Sequence, residues 1–346
     1  MHVGLDLGST GARVLTVTPQ SLQGKRTSLN FCLLPDTIEQ RRHLSKAGIH
    51  FASCDGFLLL LGSAAGEYSR IFRSAPQSLL PFGELPQHDI LGRQILASHI
   101  NQLIPNRRGM PQDAICCYSH PQPQPDADHQ NVERNRFLSQ VLHLANYIPL
   151  SISAGMGVVL AEMVDLGFTG IAFVFGASCS EMTIAFQGRE IFRSSAPLGG
   201  DWIDDELARR LDRYLFDDQG IRYPDLQLIR NWRERLPQPL MQPRTRTDQI
   251  ICEVYAEFLA DTLSTCLDQM DDGVSLPLQS WPLVCAGGLT RTNGFKTLLH
   301  RVLMEMNLPF AISSLRTAAQ NDFTIARGCL ANAFLESSVN QQRQVA

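Results

Sequence analysis

Residues 4–13 read Gly-Leu-Asp-Leu-Gly-Ser-Thr-Gly-Ala-Arg. Strand-like runs over 2–7 and 12–18 flank this stretch, so the turn from Gly8 to Gly11 makes the chain open on a β-hairpin. Asp6 ends a buried strand, and bare amides and hydroxyls follow it. That is what a metal-bound phosphate needs: a carboxylate for the hydrated cation, amides and hydroxyls for the oxygens. Taken alone, the segment reads more simply as a plain Gly/Ser hairpin. The pattern is not a P-loop, since G-x-x-x-x-G-K-[ST] is absent, nor a dinucleotide fingerprint, since no helix follows the glycines. Residues 171–175 and 181–186 repeat the plan around Gly176, Ala177, Ser178, Cys179 and Ser180. The two turns begin 176 − 8 = 168 residues apart, almost half of 346, which is where a duplicated domain would place its second copy.

The rest of the chain fits an α/β protein of two such units. Apolar residues at helical spacing mark helices over 91–104, 131–146, 204–215, 247–270, 293–306 and 323–336, and short buried strands are expected at 114–118 and 282–286. The polar, proline-containing segment 217–243 reads as a surface insertion. With 44% hydrophobic and 18% charged residues the composition excludes disorder and fibrous repeats. Thirty basic against thirty-four acidic residues leave no cationic excess for nucleic acid. Nine scattered cysteines without a C-x-x-C pair read as reduced thiols of a cytoplasmic chain, and no apolar run reaches membrane-spanning length.

Residues 4–13 resemble the first phosphate loop of the actin and heat-shock-chaperone ATPase superfamily, and 176–181 its second. Gly199-Gly200-Asp201 followed by Asp204 resembles that family's G-G-D-x-x-D helix start, and Gly287-Gly288 with Arg291 its adenosine motif; Asn321-Asp322 and Ala326-Arg327-Gly328 are similar to the closing segment. The matches come in family order along nearly the whole chain, and length and connectivity are most similar to the bacterial cell-shape actins (MreB). The resemblance implies an actin-like ATPase fold: two duplicated ribonuclease-H-like domains around a nucleotide cleft. The first would comprise 1–146 plus 318–346, with an outer subdomain near 30–80, and the second 147–317, with one near 210–245. It further implies ATP with Mg²⁺. Gly8, Ser9, Thr10, Arg13, Gly176, Ala177 and Ser178 would face phosphates; Gly199, Gly200, Asp201, Gly287, Gly288, Arg291 and Asp322 the nucleoside side; Asp6 the metal through water. Gly199-Gly200 would offer free amides at a helix start, and Arg291 would stack on the base.

The departures are equally informative. The acid that begins the family's second loop is Val174 here, the acid opening the connecting helix is Ala154, and a further chaperone aspartate is Ser195. Weak or absent hydrolysis is therefore expected, since losing a water-orienting group commonly costs about 10²- to 10⁴-fold. The implied function is an MreB-like scaffold that self-assembles in the cytoplasm, with a membrane-associated protein as a further partner and a place at the inner membrane. The alternative is a monomeric adaptor of the pilus-assembly or division type that binds a partner peptide. A sugar or acetate kinase lacks its catalytic acid, and no segment remains for a chaperone's peptide-binding domain. His120, Asp126, Asp128 and His129 read as solvated residues of a proline-rich loop, Cys116-Cys117 as buried thiols on opposite sides of a strand, and Leu79-Leu80-Pro81-Phe82 as core.

Overall fold

The computed structural model describes residues 1–18, 21–71, 77–85, 89–107, 109–110, 113–122, 128–216, 220–236, 239–270, 276–278, 280–319 and 322–345. β1 (His2–Leu7) and β2 (Gly11–Val17) form the opening hairpin, and β3 (Leu22–Ser28) pairs with β2. β3 is polar because it is an edge strand whose first five residues are exposed, which hid it from a reading by apolar periodicity. β4 (Asn30–Pro35), α1 (Ile38–Lys46), β5 (Ala52–Cys54), β6 (Phe57–Leu61), α2 (Ser63–Ile71) and β7 (Gln77–Ser78) build a four-stranded sheet of order β5-β6-β4-β7 with its own small core around Leu34, Leu44 and Leu60. α3 (Ile90–Leu103), β8 (Ile115–Ser119), α4 (Asp128–Leu144) and β9 (Ile148–Ser151) complete the first large sheet, order β3-β2-β1-β8-β9, in which β1, β8 and β9 run parallel. α5 (Ala154–Glu162) follows; its Ser153 cap accepts from Met156 N, and Gly155 through Leu160 are buried.

The second half repeats the scheme. β10 (Gly170–Phe175), β11 (Ser180–Phe186) and β12 (Arg189–Ala196) form an antiparallel meander, followed by α6 (Gly200–Leu211) and a two-stranded ribbon, β13 (Tyr214–Phe216) with β14 (Arg222–Pro224). Next come α7 (Leu226–Glu234), α8 (Arg246–Asp268), β15 (Ser280–Ala286), α9 (Phe295–Glu305), β16 (Ala311–Thr317) and α10 (Thr324–Val345). The sheet order, β12-β11-β10-β15-β16, is that of the first sheet, with β10, β15 and β16 parallel. Even the turns agree: Gly8 N donates to Gly11 O and Gly176 N to Cys179 O, both at 3.0 Å. The result is a mixed α/β architecture in two matching copies.

Cores lie on both sides of these sheets. Phe173, Phe175, Phe258 and Trp281 are sealed between the second sheet and α6, α8 and α9, each such side chain contributing about 1.5–3 kcal/mol. Cys116 and Cys117 do lie in different clusters, on opposite faces of β8. α10 returns onto β1, β8 and α5. It crosses α5 at Gly157 and Gly328, where a Cβ on Gly328 would sit 1.8 Å from the Gly157 carbonyl oxygen; only two bare backbones fit there. Among the described residues no helix is long and apolar enough to cross a membrane.

Three expectations change. The helix expected over 204–215 is α6, which starts at Gly200 and stops at Leu211, because Asp212 takes a left-handed φ of 49° and Tyr214 and Leu215 enter β13. The segment 217–243 is no loose insertion: α7 is amphipathic, and Ile229 and Leu240 are buried in the second core. Leu79 and Leu80 are core, but Phe82 is 81% exposed at a φ of 53°.

Candidate functional site

A cleft of about 1220 Å³ opens at the carboxyl ends of β1, β8, β10, β15 and β16, larger than most small-ligand pockets. Both hairpin turns line it, the first through Asp6, Gly8, Ser9, Thr10 and Arg13, the second through Gly176, Ala177 and Ser178. The 3₁₀ turn Pro81–Gly83 lies against the second of these: a Cβ on Gly83 would come within 2.6 Å of Ser178 Oγ. Ser119 Oγ is buried with no hydrogen-bond partner among the described residues, a polar atom that a phosphate oxygen could satisfy.

Farther along, Gly200, Asp201, Gly287, Gly288, Arg291 and Asp322 also line the cleft, whereas Gly199 does not. Gly199 is a packing glycine, since a Cβ there would lie 2.3 Å from the Ala177 carbonyl oxygen. Of the Gly199 and Gly200 amides expected to be free at the start of α6, that of Gly200 is engaged: it donates to Gly176 O at 3.0 Å, and the next amide, Asp201 N, donates to Ala177 O at 2.8 Å, tying the helix to the second turn. Gly287 has a φ of 101° and leaves no room for a side chain beside the Phe175 backbone. Arg291, expected to be open for stacking, is salt-bridged to Asp322, which also holds Arg26 of β3. Asn321 lies outside the described residues.

α7 brings in residues that sequence reading missed. Arg233 Nε donates to Asp204 Oδ1 at 2.9 Å; Arg230 donates through Nε to Asp204 Oδ2 at 2.7 Å and through Nη2 to Asp201 Oδ1 at 3.0 Å. Asp204 is fully buried, and both arginines line the cleft. Burial pushes the Asp201 carboxyl up to about 6 against the pull of Arg230, with Asp204 and Asp205 adding to the rise.

The positions resembling the family's acids are apolar as expected, Ala154 at the first turn of α5 and Val174 on β10. Directly across the hairpin from Val174 stands Glu181. Its Oε1 accepts from Gly155 N at 2.6 Å and from Thr183 Oγ1 at 3.3 Å, so a carboxylate from β11 caps the very helix that lacks its own acid. Burial pushes this carboxyl up to about 7, against the Gly155 amide and Arg193. The signal was available: counting back across the turn pairs residue 181 with 174. Ser195 is buried, its hydroxyl without a hydrogen-bond partner among the described residues.

His120 is buried, bonded to the Pro121 carbonyl and to Asn135 Oδ1, and held down to about 4 by that burial; it is a neutral wall of the cleft, not a solvated loop residue. Asp126 and the side chains of Asp128 and His129 lie outside the described residues.

The donor set does not suit a divalent cation. Asp6 is buried and its Oδ2 already accepts from Arg13 Nη1 at 3.3 Å; Val174 offers no oxygen, and Glu181 opposite it is turned to Gly155 N and Thr183; and among the described residues no group of three His, Cys, Asp or Glu is arranged to hold a metal ion. Burial raises the Asp6 carboxyl, against the pull of Arg13.

Solved structures with this architecture identify the fold. The chain matches the MamK double helical filament (TM-score 0.67, 15% identity, 96% of this chain and 98% of that one). It also matches MreB5 of Spiroplasma citri bound to ADP (0.66, 10% identity, 100% and 98%) and to AMPPNP (0.66, 11% identity, 99% and 98%). The fold is therefore that of the MreB-like actins. A comparison with curated protein sequences returned no match. The Volactin family model matches residues 1–333, and the chain belongs to that family.

Proposed function

We propose that this chain is an actin-like scaffold protein that binds ATP between its two halves and assembles with copies of itself, turning the nucleotide over slowly. The observation that carries the reading is the pair of matching turns, Gly8–Gly11 and Gly176–Cys179, on one cleft of about 1220 Å³. Two such turns can grip a polyphosphate from both sides, and a ligand held by both halves stabilises the closed form by its differential affinity. Relatives in fold described as a filament and as bound to ADP or AMPPNP support both parts of the proposal. Slow turnover follows from Ala154 and Val174, since neither can orient a water, and the Glu181 carboxyl beside α5 is taken up by the Gly155 amide.

Direct ATP and GTP binding by the purified full chain, followed by pelleting and electron microscopy with and without nucleotide, tests the reading. Nucleotide-dependent filaments are expected. A protein that binds nucleotide yet stays monomeric at high concentration would instead be the peptide-binding adaptor.

A further inference from the structure

Asp6, Arg13 and Arg26 form one row across three strands: Asp6 is the register partner of Arg13, and Arg13 the partner of Arg26. Partners across antiparallel strands share a face, and like charges directly opposite each other are destabilising unless an anion lies between them. Asp322 takes Arg26 and Arg291, and Asp6 takes Arg13. Among the described ion pairs, three guanidinium groups thus share two carboxylates in this corner of the molecule. Burial first, and then the neighbouring charges of Arg13 and Arg26, lower the basicity of Arg291, against the pull of Glu234.

Arg13 is also placed where a cation of the site would be. Its Nη1 bonds Asp6 Oδ2 at 3.3 Å and the Gly11 carbonyl at 3.4 Å, and lies 3.4 Å from the point a Cβ on Gly8 would occupy. The guanidinium therefore lies over the bare turn that phosphates would approach. Mg²⁺ in such sites keeps several waters and is held by one or two carboxylates with the phosphates. Here Asp6 is already paired with Arg13, the second position is Val174, the Glu181 carboxyl beside it is turned to the Gly155 amide and Thr183, and a divalent ion at Asp6 would face Arg13 at close range. A planar guanidinium, by contrast, meets phosphate oxygens two at a time and carries its charge permanently.

We infer that Arg13 takes the charge-neutralising role in this cleft, so that nucleotide binds without a divalent cation. This rests on the proposed ATP binding and extends it to the cofactor requirement.

The test is calorimetric titration of the full chain with ATP in EDTA and in excess Mg²⁺. The expected affinities agree within about threefold, a difference under about 0.7 kcal/mol. Binding at least about tenfold weaker in EDTA overturns the inference while leaving ATP binding intact. Absence of binding in both conditions, with the protein folded by circular dichroism, overturns the ATP reading and this inference with it.

Arg13→Ala should lose about tenfold or more in EDTA and gain affinity when Mg²⁺ is added, because Asp6 is then open to a hydrated cation. Arg13→Lys keeps the charge and serves where the alanine variant does not fold; it should stay metal-independent with weaker binding. Wild-type affinity for Arg13→Ala in EDTA, or an Arg13→Lys variant that binds only with Mg²⁺, would refute the role given to Arg13.

Discussion

Replacing Glu181 by glutamine should change how stability depends on pH more than it changes stability itself. The carboxyl sits 5% exposed between β11 and α5, and burial carries its pKa from the ordinary 4.5 to about 7. Arg193, the Gly155 amide and Thr183 pull the value down and Glu190 pushes it up, so burial is the deciding cause. Below about pH 4.5 the proton is on in both folded and unfolded chains, and stability is at its full value. Between there and about 7 the unfolded chain releases it while the folded one keeps it, and stability falls; above about 7 the loss is complete. At 1.36 kcal/mol per pH unit the whole span amounts to roughly 3 kcal/mol, most of it between pH 5 and 8.

Glutamine cannot ionise, yet its amide oxygen can still accept from Gly155 N. Urea unfolding followed by the fluorescence of Trp202 and Trp281, both packed in the second core, reads the effect. Glu181→Gln should match the wild type near pH 5 and exceed it by roughly 2–3 kcal/mol at pH 8. Parallel curves for the two proteins across that range would refute the assignment of a buried, proton-holding carboxyl.

Asp204 is buried between Arg230 and Arg233, so Asp204→Ala should cost about 3–5 kcal/mol by leaving Arg233 unpaired, whereas Asp204→Ala with Arg233→Met should recover part of that loss in the same unfolding assay. Gly328→Val should abolish soluble, cooperatively folding protein, because the displaced partner is the Gly157 backbone rather than a flexible side chain; a melt within a few degrees of wild type would contradict the tight crossing. Asp322→Ala, which releases two exposed arginines, should leave stability within about 1 kcal/mol and be read instead as altered nucleotide affinity.

The features legible in the chain itself are local ones. Small residues at 8–11 and 176–180 can only make tight turns between strands, and the 168-residue interval between them implies a repeat that the two sheets display in full. Alternation of strands and helices identified α3, α8 and α9, since apolar periodicity follows directly from which face is buried. The same rule missed β3, whose edge position makes it polar, and read α7 as an insertion because only one narrow stripe of it is apolar.

What only the tertiary structure decided are contacts that no local spacing encodes. That Asp322 joins Arg26 of β3 to Arg291 depends on segments some three hundred residues apart meeting at the cleft. That the amides at the start of α6 are engaged depends on how the helix docks on the second turn. That Glu181 stands at the helix lacking its own acid depends on β11 packing against α5, and that Asp204 is reached by two arginines of α7 depends on a fold-back of some thirty residues. Turns and periodicity are dictated by backbone sterics and burial within a few residues. The electrostatics of the cleft is set by groups brought together from far along the chain, and only the packed arrangement specifies which charge meets which.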